Sequence, residues 1–324
     1  MSDDPAELPV DTATRVFAAH RELLFSVVYS MTGSVSDTED VLQDTWLAWV
    51  RGEGGDLQGG PELCGHLLRI AVGRALARQS GISRHRAAYV GPWLPEPLVT
   101  DPRSEPHTAV PADADGTAWP GLRGESASMA LLVVLDTLPP LERAVFVLNE
   151  VFGYSYAEIA EVLGRHPGTI RQLAHRAREH VQARRPRYPA DPRIQQQLTE
   201  RFIAAAMAGD LATLLDLLAP DVTMWTDGGG KVRSALRPVS GRERVARSLS
   251  GYAASHAPQG LEVHYRHVNG DPSAVVFDGD SPYAVLVMDL TAPGDQVTGI
   301  YLVTNPDKLS RVPLPWLPGS GDGG

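Results

Sequence analysis

Cysteine is almost missing from this sequence: Cys64 stands alone among 324 residues. One thiol can neither close a disulfide within the chain nor build a cysteine-rich metal cluster. The histidines and carboxylates show no zinc-ligand spacing either, so no metal and no cofactor is expected. Long apolar runs are also missing. None approaches the ~20 residues of a membrane-spanning helix, so no membrane partner is expected. The first residues, M-S-D-D-P-A-E, are acidic and do not read as a secretory signal. A basic excess is lacking too: the formal net charge is −10, which argues against a bulk polyanion binder. Together these absences place the expected protein in the cytoplasm. What is present, 43% hydrophobic residues over 324 positions, fits a globular chain of two or three domains.

The net charge hides blocks. Residues 1–60 hold eleven acids and three arginines, 61–90 hold five arginines and one acid, and 165–187 hold seven arginines and one acid. The two basic stretches suit phosphate. The acidic block would be repelled by DNA and suits a protein partner instead.

Residues 155–181 read S-Y-A-E-I-A-E-V-L-G-R-H-P-G-T-I-R-Q-L-A-H-R-A-R-E-H-V. Ser155 with Glu158 predicts a capping box and a helix start. Gly164 sits where that helix should stop, and Pro167 suits the first turn of the next. Ile170, Leu173, Ala174, Ala177 and Val181 recur at helical spacing. The pattern is a helix-turn-helix whose second helix carries His166, Thr169, Arg171, Gln172, His175, Arg176 and Arg178 on its other face. Arginine and glutamine on such a helix can bond base edges in a major groove. An ordinary helical hairpin with a solvated basic face is the plainer reading, but turn, caps and core spacing agree on DNA.

Upstream, periodicity predicts a helix over 14–31 ended by Gly33, and a second over 37–51 with a capping box of Ser36 and Glu39. Val41, Leu42, Thr45, Trp46 and Trp49 form the apolar stripe of the second helix. The glycine-rich residues 52–60 read as a flexible loop. A third helix opens at Pro61 with Leu63, Leu67, Ile70, Ala71 and Leu76 inward, and Gly81 is expected to break it. Tyr89 then leads into V-G-P-W-L-P-E-P-L, whose prolines exclude helix. Trp93 and Leu94 are costly to leave in water, so something should cover them. Residues up to 123 read as a linker, 126–138 and 140–152 as helices, and 184–192 as a second linker.

From residue 193 the pattern changes. Helices are expected over 194–208, 211–218 and 241–256. Strands are expected over 222–226, 232–236, 261–268, 273–277, 283–290 and 297–303, the first two pairing across the turn Asp227–Lys231. This is an α+β pattern in which a curved sheet around a helix would enclose a cone-shaped cavity fit for a ligand.

With these motifs on the page, the chain resembles an extracytoplasmic-function sigma factor with a fused SnoaL-like, NTF2-fold C-terminal domain. The marks are the helix-turn-helix, the linker stretch Tyr89–Leu98 with its W-L-P-E-P (Trp93, Leu94, Pro95, Glu96, Pro97), D-G-G-G-K (Asp227, Gly228, Gly229, Gly230, Lys231) and N-P-D-K-L (Asn305, Pro306, Asp307, Lys308, Leu309). The resemblance implies a multi-domain chain: an all-α module over 1–88, a linker over 89–125, a second all-α module over 126–186, a SnoaL-like regulatory domain over 193–312 and a flexible tail over 313–324. It implies core RNA polymerase as partner, through the β′ clamp helices and the β flap, and promoter DNA. Asp37, Asp40, Gln43, Asp44 and Trp46 would meet polymerase. Arg69, Arg74, Arg78, Arg84 and Arg86 would hold the −10 element, melted to single strands. The residues from His166 to Arg178 named above would read the −35 element.

Two other readings share features with this one. A ligand-responsive repressor or activator would share the helix-turn-helix, but needs neither the acidic helix nor the aromatic-proline linker. An enzyme in the C-terminal domain could draw on Asp221, Asp227, His264, His267 or Asp289. No pair of these is poised, so no catalytic residue is expected. A small-molecule ligand in the C-terminal cavity stays open.

Overall fold

The computed structural model describes residues 10–51, 61–100, 127–184, 191–255, 258 and 260–314. The expected loop over 52–60, the linker beyond residue 100, most of the second linker and the end of the tail lie outside the described residues. Those described fall into two compact units: one holds the helices before residue 88 and those of the helix-turn-helix region from Leu131 on, the other holds residues 89–100, Ser128–Ala130 and everything from 191 on.

In the first unit, α1 (Val10–Thr32), α2 (Val35–Val50) and α3 (Pro61–Ala87) pack pairwise. Leu24, Val27 and Val28 of α1, Val41, Leu42 and Trp49 of α2, and Leu67, Leu68, Ala71 and Val72 of α3 are buried there. The helix α1 starts earlier than its periodicity predicts. Ala13 is buried, and its carbonyl accepts a hydrogen bond from Trp49 Nε1 at 3.2 Å. The cap of α2 is Ser34, not Ser36: the Ser34 side chain accepts from the Asp37 N–H. Gly33, at φ +66°, ends α1 and leaves only Ser34 before α2 begins.

Gly81 does not break α3, which runs on to Ala87. A glycine inside a helix costs roughly 1 kcal/mol relative to alanine. Burial of Ile82, worth about 1.5–3 kcal/mol for such a side chain, outweighs it. Gln79 adds a hydrogen bond to the Met31 carbonyl at 3.2 Å.

Then come α4 (Met129–Asp136) and α5 (Pro140–Phe146), which continues into a π-helical turn, Val147–Val151. The helices α6 (Tyr156–Leu163) and α7 (Pro167–Gln182) form the expected helix-turn-helix. Both halves of the Ser155–Glu158 capping box are made, and Gly164 adopts the left-handed conformation at φ +60°. Ile159 and Ala160 bury against Ile170, Leu173, Ala174, Ala177 and Val181. Within this unit α3 also packs on α5 and α6.

In the second unit, α8 (Pro192–Ala208) and α9 (Leu211–Leu217) are capped by Asp191 and Asp210. The strands are β1 (Val99–Thr100), β2 (Leu218–Asp227), β3 (Val239–Ser240), β4 (Glu262–Val268), β5 (Asp271–Asp278), β6 (Ser281–Leu290) and β7 (Val297–Val303). They form one sheet in the order β1-β4-β5-β6-β7-β2-β3, with β2 parallel to β7 and the other pairs antiparallel. The helices α10 (Arg242–Ser255) and α11 (Pro306–Leu309) complete the unit. The last four strands are the expected meander, and the fold is the expected α+β.

Residues 232–236 are not a strand. A Cβ on Gly228 would lie 2.5 Å from the Val232 carbonyl oxygen and 2.6 Å from Ser234 Oγ, so the chain doubles back tightly over that glycine. Antiparallel pairing to β2 comes later, at β3. The space between helices and sheet is packed rather than hollow: Leu198, Phe202, Leu214 and Val245 meet Met224, Leu286, Met288 and Ile300. A recess beside it, lined by Gln196, Thr199, Tyr265, Arg266, His267, Pro272 and Ser273, has a volume of about 60 Å³, room for waters rather than a drug-sized ligand.

Candidate functional site

Asp227, which the sequence places at the start of a polar turn, ends β2 and is fully buried. Its carboxylate pairs with Lys308 Nζ at 2.7 Å. It also accepts from Tyr89 OH at 2.6 Å, from the Leu94 N–H at 2.8 Å and from the Gly229 N–H at 3.1 Å. Four donors thus satisfy a charge that burial alone would penalise by several kcal/mol. The Lys308 ammonium in turn donates to the Leu94 carbonyl and lies 4.1 Å from the centre of the Trp93 ring and 5.0 Å from that of Tyr89. Asn305 Nδ2 donates to Tyr89 OH at 2.7 Å. Burial first, and then the Asp227 carboxylate, raises the Tyr89 phenol above its ordinary pKa.

The three sequence motifs therefore converge. Leu94 is fully buried, and Pro95, Glu96 and Pro97 are buried with it. The segment continues to Leu98 and Asn269, whose backbone groups bond at 2.9 Å, and β1 extends the sheet beside β4. The glycines of D-G-G-G-K have steric reasons: a Cβ on Gly229 would lie 2.4 Å from Asn305 Nδ2, and one on Gly230 3.0 Å from Val90. Lys231 and Asp307 pair with each other at 2.7 Å on the surface. Sequence reasoning placed Tyr89 in the marked segment without giving it a role, and it missed Asn269. Asn269 has φ +53°, which its position before a glycine in an N-G turn could have signalled.

On α7, Thr169, Arg171, Gln172, His175 and Arg176 are exposed. His166 is exposed and caps α7, its Nδ1 accepting from the Gly168 N–H at 3.1 Å. Arg176 pairs with Glu142 at 3.0 Å, and His175 lies 3.4 Å from Glu179. Arg178 departs from the expected role. It turns onto buried Glu150 and donates to Asn149 Oδ1 at 2.8 Å and to Tyr156 OH at 2.6 Å. Two turns after Arg171, and so on nearly the same side of α7, it is distinguished by its partners on the π-helical turn and α6 rather than by its place on the helix.

On α3, Arg69, Arg74 and Arg84 are exposed. Arg78 joins Asp40 at 2.8 Å and Asp44 at 3.0 Å on α2, so two acids expected to meet polymerase are tied to an arginine expected to meet DNA. Arg86 is turned inward. It pairs with Asp136 and donates to the Thr32 carbonyl, and burial with nearby Arg143 brings its pKa down to about 9. Arg143 binds Asp136 at 2.9 Å and the Met31 carbonyl at 2.7 Å. Burial lowers its pKa to about 10. Asp37 and Trp46 are half-buried, Trp46 against Phe17 with ring centres 5.4 Å apart; Asp40 and Gln43 are exposed.

Three families match the chain: Sigma-70 region 2 over residues 16–80, Sigma-70 region 4 over 128–181 and the SnoaL-like domain over 199–304. The ECF RNA polymerase sigma factor SigJ of Mycobacterium tuberculosis is 34% identical over 92% of this chain and 93% of its own. This chain belongs to the ECF RNA polymerase sigma factors. The crystal structure of that relative superposes with a TM-score of 0.68 at 32% identity, over 93% of this chain and 100% of the other. The probable ECF sigma factor SigI of the same species is 29% identical over 92% of this chain and 95% of its own. A sigma factor directs RNA polymerase to promoters, so the relatives mark this chain as a transcription factor, while its SnoaL-like domain is of a kind also present in some enzyme families.

The acids and bases considered for catalysis are scattered in this sigma factor. Asp221 is exposed, and Asp227 is consumed by Lys308. His264 meets the edge of Phe277 with ring centres 5.2 Å apart, and Asp289 receives Tyr301 OH at 3.3 Å. His267 lines the small recess. Among the described residues no three histidines, cysteines or carboxylates form a cluster able to hold a metal, and no helix is long and apolar enough to cross a membrane.

Proposed function

We propose that the C-terminal domain regulates this sigma factor in cis by holding the segment that follows α3. One observation carries the reading: Asp227 and Lys308 together bind both the N–H and the C=O of Leu94 and enclose Trp93 and Tyr89. The held segment begins directly after α3, because no residue separates Ala88 from Tyr89. The SnoaL-like domain thus acts as a clamp rather than a catalyst.

Within that frame, Asp40, Gln43, Asp44 and Trp46 dock on the β′ clamp helices of core polymerase, and the helix-turn-helix module meets the β flap. Arg69, Arg74 and Arg84 lie along melted −10 DNA. Thr169, Arg171, Gln172, His175 and Arg176 enter the −35 major groove. Arg78 reaches DNA only by leaving Asp40 and Asp44. Arg86 and Arg178 serve the fold. The protein works where the polymerase is, in the cytoplasm. The test is transcription from a cognate promoter by core polymerase lacking any other sigma factor. Promoter-specific transcripts on adding the purified chain support the reading; none, alongside specific DNA binding by the chain alone, would favour a repressor or activator.

A further inference from the structure

Basic residues in the second unit are not spread evenly. Between residues 191 and 312 there are eleven lysines and arginines and fourteen acids, yet the stretch 231–247 holds six of those bases (Lys231, Arg233, Arg237, Arg242, Arg244 and Arg247) against one acid, Glu243. The stretch is compact in the fold. It comprises the loop that doubles back over Gly228, the edge strand β3 and the first turns of α10. Lys231, Arg233, Arg237, Arg244 and Arg247 are exposed.

Lys231 is paired with Asp307, but two of the arginines are not accounted for by folding. Arg237 and Arg244 have no hydrogen bond or ion pair among the described residues. Arg247 has only an exposed i,i+4 contact with Glu243 at 3.1 Å. Arg242 and Arg244 stand in the first turn of α10, where the positive end of the helix dipole disfavours cations. Exposed like charges gathered on one edge repel one another locally, and an anion meeting them relieves that repulsion.

We propose that this edge of the C-terminal domain is a third DNA-contacting surface, which binds the phosphate backbone of promoter DNA without reading sequence. Guanidinium groups such as those of Arg237 and Arg244, without an ion pair among the described residues, are suited to phosphate oxygens, and they flank the edge strand β3. The stretch 231–247 holds no aromatic residue on which a base could stack, so it adds affinity and salt dependence but not specificity. An acidic face of the polymerase is the competing occupant.

The experiment measures promoter affinity of the holoenzyme formed with the full chain between 50 and 200 mM salt. Variants are Arg237→Ala/Arg244→Ala and the charge reversal Arg237→Glu/Arg244→Glu, with Arg193→Ala/Arg201→Ala on α8 as control. Each lost phosphate contact flattens the slope of log affinity against log salt by about 0.9. The alanine pair therefore loses about twelve-fold less affinity than the parent over that fourfold change in salt, and the reversal flattens the slope at least as much. Preference for the cognate over a scrambled promoter stays the same, and the control matches the parent. An unchanged slope in both patch variants overturns the proposal. So does a loss of core-polymerase affinity with the DNA slope intact, which would assign the edge to a protein. A parent holoenzyme that fails to select its promoter would instead count against the sigma-factor reading itself.

Discussion

Replacing Asp227 with alanine is the sharpest perturbation of the clamp. The carboxylate is fully buried and faces Lys308, whose side chain is 9% exposed. Removing one member of a buried pair leaves the other charge uncompensated, at a typical cost of about 3–5 kcal/mol. The Leu94 N–H loses its acceptor in the same step. If that cost falls on the attachment of residues 89–100, the Leu94 amide exchanges with solvent about a hundred- to several-thousand-fold faster than in the parent. Backbone amides of β7, in the middle of the sheet, report on the whole unit and separate local release from global unfolding. Tyr89→Phe removes one hydrogen bond to the carboxylate, worth about 1.5–3 kcal/mol, and keeps the ring over Lys308. Combined with Asp227→Ala, it adds less than its cost alone, because the bond it breaks is already gone. Equal Leu94 exchange in parent and Asp227→Ala, with β7 protection intact, would refute the argument that this pair holds the segment.

Four further outcomes are expected. Arg178→Ala strands buried Glu150, so urea unfolding shows a loss on the order of 3–5 kcal/mol; an unchanged midpoint would return Arg178 to the DNA face. Gln172→Ala leaves stability unchanged and weakens discrimination between cognate and scrambled −35 duplexes by about 1–3 kcal/mol. Gly81→Ala stabilises the chain by roughly 0.5–1 kcal/mol, since the helix runs through it and nothing lies within 4 Å of the new Cβ. The Tyr89 phenol is raised in the folded state, so above the ordinary tyrosine range the unfolded chain ionises first and stability falls as pH rises. Tyr89→Phe makes that alkaline decline shallower in unfolding titrations; an equal slope would mean that Tyr89 stays as ionisable folded as unfolded.

Much of this was legible in sequence for local reasons. Ser155, Glu158, Gly164 and Pro167 act within one or two turns, so the helix-turn-helix could be read from spacing alone. The meander followed from alternation between N-G, D-G and P-G turns. The misses are tertiary. Ser36 lost the cap to Ser34 because α2 begins at Val35, directly after the Gly33 turn, rather than at residue 37. Gly81 stayed helical because Ile82 had a core to enter. Arg178 carries the same side chain as Arg171, and only the buried Glu150 across the module distinguishes them. The partnership of Asp227 with Lys308 spans 81 positions, and no local pattern marks it. The motifs identified the neighbourhood, while the buried pair at its centre and the part played by Tyr89 needed the fold.

The cis-regulatory claim is tested most directly by promoter-specific transcription with core polymerase and three forms of the sigma factor: the full chain, the full chain carrying Asp227→Ala, and a truncation before Arg193. If the clamp on residues 89–100 sets activity, the Asp227→Ala chain departs from the parent in the same direction as the truncation. Equal transcript yield and equal promoter affinity for all three would contradict the account and leave the C-terminal domain an independent passenger.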